Sequence, residues 1–136
     1  MAAAETEYEQ TTRGLRIRVL PRYLENQSRP DDNHFVWAYT ITIENHGTET
    51  VTLRTRHWRI TDAHGRVQEV NGPGVVGEQP RLKPGQSFQY TSGVPLATPS
   101  GIMAGSYQFE RAEGGNFDAV IPAFSLDVPL TPRQIN

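Results

Sequence analysis

The sequence predicts an all-β fold, a sandwich of seven to eight short strands. Apolar and polar residues alternate over several short stretches, as they do in strands that bury one face. The 136 residues include 12 Gly and 10 Pro, which favours frequent turns over long helices. Two sheets can bury their alternating faces against each other, which makes a sandwich the natural architecture. A closed barrel is the alternative.

The clearest strands lie in the first half of the chain. In residues 15–19 and 35–44, large apolar side chains share the odd-numbered parity, while Arg16 and Arg18 in the first segment and Thr40, Thr42 and Glu44 in the second take the other. This pattern predicts half-buried strands. Residues 26–33 and 45–47 have turn composition. In residues 51–61 the apolar parity switches from Val51 and Leu53 to Trp58 and Ile60. We therefore expect a β-bulge or sharp bend near Thr55–His57.

The second half alternates strands with connections. We expect strands over residues 66–70, 88–94, 107–113, 117–121 and 124–128, a long loop over 71–85 and a further connection over 99–105. Gly114-Gly115-Asn116 is a hairpin signal. Pro122 cannot donate to a central ladder, so it predicts an edge strand or a crossing between sheets.

Composition predicts one domain over residues 15–130, preceded by a disordered acidic tail over 1–14 and followed by a C-terminal tail over 131–136. The formal charge is −2. The first ten residues carry −3, which leaves 13 basic against 12 acidic residues, or +1, for the rest. Such a balance provides no electrostatic footprint for nucleic acid or for an anionic membrane.

The chain contains no cysteine, which excludes disulfides, thiolate nucleophiles and Cys-based zinc sites. Its first residues lack the basic and apolar regions of a signal peptide. No apolar run approaches the roughly 18 residues of a membrane span. We therefore expect a cytoplasmic protein without a membrane span.

A glycine-rich segment, Asn71-Gly72-Pro73-Gly74-Val75-Val76-Gly77, contains the pattern G-x-G-x-x-G. A dinucleotide site needs a helix to follow this pattern, and the prolines at 80 and 84 exclude one. A loop of this kind can still expose backbone N–H groups to an anion. The candidate anion-binding residues are therefore Gly72, Gly74, Gly77, Arg81 and, from the cationic segment 54–59, Arg56. The alternative is that the glycines serve only to shape the loop.

The sequence contains no catalytic motif. A serine nucleophile elbow and a Walker lysine are both absent, and Asp31-Asp32-Asn33-His34 reads as a polar turn rather than a metal loop. The four histidines have no metal-ligand spacing. A metal-dependent hydrolase using Asp62, Glu69 and Glu78 is the weakest hypothesis. We expect no enzymatic activity, no catalytic or metal-binding residues and no cofactor.

Several separated segments together resemble the ApaG family. They are Phe35–Asn45, Arg56–Ile60, Val70–Pro80, Tyr90–Gly93, Gly101–Tyr107 and Ile121–Phe124. The resemblance runs from about Leu15 to Pro129. It implies an immunoglobulin-like or fibronectin type III-like sandwich, in agreement with the strand pattern.

The resemblance also implies a function. The bacterial family is associated with cobalt and magnesium homeostasis or efflux, and related domains accompany an F-box or occur in a polymerase-interacting protein. We therefore expect a binding or regulatory domain with a protein partner. Its surface should carry an apolar patch beside an edge strand. Phosphate, pyrophosphate or nucleotide binding at Gly72–Gly77 is the alternative.

Overall fold

The computed structural model describes residues 6–129. Its strands are β1 (Tyr8–Thr12), β2 (Leu15–Tyr23), β3 (Phe35–Asn45), β4 (Val51–Asp62), β5 (Val67–Pro73), β6 (Arg81–Leu82), β7 (Ser87–Leu96), β8 (Ser100–Arg111) and β9 (Asn116–Asp127). Two single-turn 3₁₀ helices, Glu25–Gln27 and Pro30–Asp32, lie between β2 and β3. No helix in residues 6–129 is long and apolar enough to cross a membrane.

The strands form two antiparallel sheets. One sheet has four strands in the order β1-β2-β3-β7, and the other has the order β5-β4-β8-β9 with the short β6 also pairing with β4. The two sheets pack face to face, so the predicted all-β sandwich is confirmed. The strand pattern is that of an immunoglobulin-like or fibronectin type III-like fold.

Aromatic side chains from both sheets meet in the core. Tyr39 of β3 lies edge-to-face with Trp58 of β4, and their ring centroids are 5.4 Å apart. Phe124 of β9 completes the group at 5.9 Å from each of the two rings. Such offset contacts add to the free energy gained by burying the rings. The alternation predicted for residues 35–43 is confirmed, because every odd-numbered residue there is buried.

The predicted phase change in β4 is confirmed as a β-bulge. Leu53 pairs with Phe109 and Thr55 pairs with Gln108, so Arg54 has no opposing residue in β8. The bulge is thus centred at Arg54, one residue before the predicted range. It allows both Leu53 and Trp58 to point into the core although they differ in parity.

Pro122 occupies the edge position that the sequence predicts. It lies in β9, the last strand of its sheet, where no neighbouring strand requires its missing N–H group. The β8–β9 register shifts nearby, between Met103 and Gly105. The turn predicted at residues 45–47 is also confirmed. It follows Asn45, whose buried amide donates to the carbonyls of Glu49 and Leu82.

Three expectations are wrong. The acidic segment predicted to be disordered over residues 1–14 contains β1, because Tyr8–Thr12 pairs along its length with β2. Most of the connection predicted over residues 99–105 belongs to β8, which begins at Ser100 and in which small residues allow close approach to β4. The described residues contain nine strands rather than seven or eight: β1 and β6 are additional, and the two strands expected at 117–121 and 124–128 are one continuous strand, β9. Residues 1–5 and the predicted tail at 131–136 lie outside the described residues.

Candidate functional site

The glycine-rich segment forms a tight turn at the end of β5. The Gly74 N–H group donates to the Arg54 carbonyl at 2.8 Å. Val75 and Glu78 exchange two backbone hydrogen bonds, of 2.8 and 2.9 Å, across the two residues between them. Three of the loop's N–H groups therefore already donate to backbone carbonyls. The element after the turn is the strand β6, so no helix opens at this motif.

Each glycine of the motif has a structural reason. A Cβ atom at Gly72 would lie 2.9 Å from Nη1 of Arg56, and one at Gly74 would overlap the carbonyl oxygen of Glu78. Gly77 has open space around it, but its φ of 81° is a left-handed conformation that L side chains rarely adopt. The three glycines thus shape this turn.

Arg56 clamps the glycine turn to β4. Its Nη1 donates to the carbonyls of Pro73, at 3.0 Å, and Gly74, at 2.9 Å. The structure therefore brings Arg56 together with Gly72 and Gly74, as the candidate site requires. The guanidinium donates to the loop itself through these two bonds. Arg81 lies in β6 opposite Thr52, four residues along β4 from Arg56.

A polar groove of about 570 Å³ lies against this clamp. It crosses β5, β4, β8 and β9 and is lined by Thr55, Arg56, His57, Asn71, Gly72, Ser106, Gln108 and Asp118. Nε2 of His57 lies 2.8 Å from a carboxylate oxygen of Glu69. The groove thus offers hydrogen-bond donors and acceptors of several kinds on the outer face of the five-stranded sheet, the face turned away from the core.

Apolar side chains accompany the groove on the same sheet. In the part of the chain that the structure describes, the exposed large hydrophobic residues are Val67, Val76, Ile102 and Val120. Val67 lies on the edge strand β5, Ile102 on β8 and Val120 on β9, while Val76 is at the tip of the glycine turn. Thr61 pairs with both Val67 and Ile102 and so connects them into one patch.

Sequence reasoning did not find Ile102 and Val120. Ile102 fell in the supposed connection at residues 99–105, so its exposure on a strand could not be recognised. The exposure of Val120 could be recognised from the alternation, because it is an apolar residue between Ala119 and Ile121, which are both buried. In a strand, a residue between two buried ones points outward.

In the described part of the chain, the outer face of the four-stranded sheet carries charged and polar side chains instead of exposed large apolar ones. Arg16 pairs with Glu9 at 2.8 Å, and Arg18 pairs with Glu44 at 3.2 Å. The carboxylate of Glu44 also lies 3.0 Å from His46, and this contact lowers the Glu44 pKa against the opposing effect of burial. Ion pairs cover the β1–β2 side of this face and hydrogen-bonded Thr and Gln side chains cover its β3–β7 side. Among the described residues, no exposed large hydrophobic residue lies on this face.

The candidate metal and hydrolase residues do not converge. Asp31 and Asp32 lie in the 3₁₀ turn between β2 and β3. Glu69 pairs with His57, and Asp62 bonds with Arg66 at 2.9 Å. Although burial acts to raise the pKa of Asp62, hydrogen bonds from the backbone and side chain of Arg66 and from His64 lower it. Over residues 6–129, no three His, Asp or Glu side chains cluster closely enough to hold a metal ion.

Comparison with known proteins agrees with this architecture. The family model for the ApaG domain matches residues 25–111. Protein ApaG of Paramagnetospirillum magneticum is 60% identical over 129 residues, covering 95% of this chain and 99% of that protein. Protein ApaG of Rhodospirillum centenum is 62% identical over 122 residues, covering 90% and 94%.

A solved structure shows the same fold. A crystal structure from Bordetella pertussis, described as ApaA, is 48% identical and superposes with a TM-score of 0.84. The match covers 86% of this chain and 95% of that one. Family model, relatives and fold agree over nearly the whole length: the chain belongs to the ApaG domain family.

Proposed function

We propose that this chain is a non-enzymatic binding and regulatory domain that recognises a protein partner through the outer face of its five-stranded sheet. The observation that carries the proposal is the one-sided distribution of exposed apolar residues. Val67, Ile102 and Val120 all lie on this sheet, whereas ion pairs and hydrogen-bonded Thr and Gln side chains cover the other. Single exposed apolar residues are ordinary on protein surfaces; their restriction to one sheet beside a polar groove is typical of an interface.

Val76 adds a second argument. It is 55% exposed and has a φ of 44°, a left-handed conformation that is a genuine outlier for a β-branched residue. The energetic cost of this conformation, about 1–2 kcal/mol, is not offset by burial. Strained residues cluster at functional sites, where they serve binding rather than stability. An exposed apolar tip on a turn clamped by Arg56 suits contact with a partner.

The proposal accommodates the family's association with divalent cations. We infer that an effect on cobalt or magnesium transport passes through the partner, because the described residues gather no set of metal ligands. The partner's surface should supply apolar side chains against Ile102 and Val67. It should also supply hydrogen-bonding groups for the groove around Ser106 and Gln108.

Site-specific photo-crosslinking in cells tests the proposal. A photoreactive phenylalanine analogue replaces Ile102 or Val120 in the full chain, and Thr91, exposed on β7 of the other sheet, is the matched control. We expect the same partner to be captured from both positions of the five-stranded sheet and not from Thr91. Val67→Asp should abolish that capture while leaving the thermal unfolding midpoint nearly unchanged, because Val67 is exposed. Equal capture from all three positions, or from none, would refute the proposal.

Binding of phosphate, pyrophosphate or a nucleotide at Gly72–Gly77 is the second candidate function. Its supporting observation is that Arg56 and His57 line the groove beside Gly72. Against it stand the N–H groups of Gly74, Val75 and Glu78, which already donate to the backbone carbonyls of Arg54, Glu78 and Val75, respectively. Titration of labelled protein with pyrophosphate, ATP and diadenosine tetraphosphate, with and without magnesium or cobalt, separates the candidates. Saturable amide shifts at Gly72 and Gly77 would favour this second function, and their absence would favour the protein interface.

A further inference from the structure

A second pocket lies at one end of the sandwich, where the β1–β2 turn and the β3–β4 loop meet the end of β8 and the start of β9. Together they enclose about 280 Å³. Leu15 and Val51, each 1% exposed, form its apolar floor. Two arginines, Arg13 and Arg111, and one carboxylate, Glu49, line it as well. The lining therefore has a formal charge of +1.

Arg13 sits where the backbone disfavours an arginine. Thr12 pairs with Leu15, so Arg13 and Gly14 form a two-residue hairpin turn, with φ values of 48° and 83°. Such turns favour Asn, Asp or Gly at the first position, because both central residues need positive φ. A Cβ atom at Gly14 would lie 2.7 Å from the Cα of Gly47, so the turn packs closely against the β3–β4 loop. An arginine at a position that favours Asn, Asp or Gly indicates that the Arg13 side chain has a role of its own.

The Arg13 guanidinium is presented to the pocket. Its Cζ lies 5.3 Å from the centroid of the Phe117 ring, a distance at which a ring attracts a cation. The salt bridges formed within residues 6–129 do not include Arg13. Arg111, by contrast, donates two hydrogen bonds to Glu49, at 2.5 and 3.1 Å. Arg111 is thus neutralised by its neighbour, and Arg13 keeps donors for an external acceptor.

We propose that this pocket binds a carboxylate attached to a small apolar group. The guanidinium fork of Arg13 matches a carboxylate, and the partly buried Phe117 ring beside it supplies the apolar contact. The volume lies just below the roughly 300 Å³ at the lower end of ligand pockets, so the ligand is small. Both a free aromatic acid and the C-terminal residue of a peptide have this chemistry.

Titration of the full chain, followed by backbone amide shifts, tests the proposal and separates the two sources. The probes are phenylacetate and a tripeptide that ends in phenylalanine with a free carboxylate. Their amides, which lack the charge, are the controls. We expect saturable shifts at Arg13, Gly47 and Phe117 with at least one acid, and binding roughly tenfold weaker with its amide. Binding of phenylacetate indicates a free small acid, and binding of the tripeptide alone indicates a chain terminus.

The variant Arg13→Asn separates binding from folding. It removes the guanidinium and installs a residue that this turn favours, so acid binding should be lost while the thermal unfolding midpoint stays equal or rises. Arg13→Gly serves the same purpose if the first variant fails to fold. Arg29→Asn, at an exposed arginine outside the pocket, is the matched control and should bind normally. Unchanged binding by Arg13→Asn, or no saturable shift with either acid, would overturn the proposal.

Discussion

The hydroxyl groups of Tyr90 and Tyr107 form a hydrogen bond of 2.5 Å that joins the two sheets inside the sandwich. Tyr90 belongs to β7 of the four-stranded sheet and Tyr107 to β8 of the other, and both side chains are buried. Burial raises the pKa of both phenols above their ordinary value. Each therefore keeps its proton and depends on the other for a hydrogen-bond partner.

The first prediction concerns this pair. Tyr107→Phe should lower the free energy of unfolding by about 1–3 kcal/mol, because it leaves the buried Tyr90 hydroxyl without its partner. The double variant with Tyr90→Phe should cost clearly less than the sum of the two single changes, since no hydroxyl is then stranded. Denaturant unfolding of the four proteins in the cycle measures the coupling. Strict additivity would show that the hydrogen bond makes no specific contribution.

The second prediction concerns alkaline pH. Burial also raises the pKa of Tyr39, so three buried tyrosines keep protons that an unfolded chain releases above about pH 10. The unfolded state then binds fewer protons, and stability falls as pH rises above that value by up to about 1.4 kcal/mol per pH unit and tyrosine. Of the five tyrosines, these three should contribute tyrosinate absorbance only in a step that coincides with loss of the fold. The Tyr90→Phe, Tyr107→Phe double variant should show a smaller step, and ionisation of more than two tyrosines in the folded protein would contradict the prediction.

The third prediction separates two glycines of the same turn. Gly74→Ala should destabilise the fold by about 2–5 kcal/mol, because left-handed strain of about 1–2 kcal/mol adds to a backbone overlap with Glu78 that typically costs a further 1–3 kcal/mol. Gly77→Ala adds the strain alone, since its surroundings are open. Chemical denaturation measures both variants. Equal losses would show that the close approach at Gly74 is relieved by movement of the turn.

The fourth prediction concerns the clamp. Arg56→Lys keeps the charge, but an ammonium group cannot lie flat under Gly72 as a guanidinium does. We expect the amides of Gly74 and Val75 to exchange hydrogen at least several times faster, with a loss of about 1 kcal/mol in stability. Arg59→Lys, at an exposed position of the same strand, is the control and should change neither quantity. Unaltered hydrogen exchange in Arg56→Lys would mean that the turn keeps its conformation without the hydrogen bonds from Arg56.

The sequence alone predicts most of this fold because period-two alternation is a local signal. Residues 39–43 show it clearly, and the phase change in β4 even indicates the bulge. Tyr8–Thr12 could not be predicted, because its residues are polar and its pairing with β2 depends on cross-strand partners such as Arg16 for Glu9. The strand at residues 100–105 was missed for a related reason. Glycines that suggest a connection there allow β8 to approach the backbone of β4.

The site is less predictable than the fold because it depends on contacts between distant segments. The glycine motif predicts an anion loop, yet the structure explains the lack of a side chain at Gly74 by the carbonyl of Glu78, four residues on, and at Gly72 by Arg56 in another strand. The exposed patch likewise requires the strand pairing that sets Val67 and Ile102 on either side of Thr61. No local pattern carries that information.

The last prediction tests whether Val76 serves binding at the expense of stability. Val76→Asn places a residue that tolerates left-handed φ at the tip of the turn, so the free energy of unfolding should rise by about 0.5–1 kcal/mol. Val120→Asn, at an exposed residue in a regular strand, should be neutral or destabilising because asparagine is a poor strand former. If Val76 contacts the partner, Val76→Asn should also weaken partner capture from a crosslinker at Ile102. A more stable variant with undiminished capture would assign the strain to the turn alone and remove Val76 from the interface.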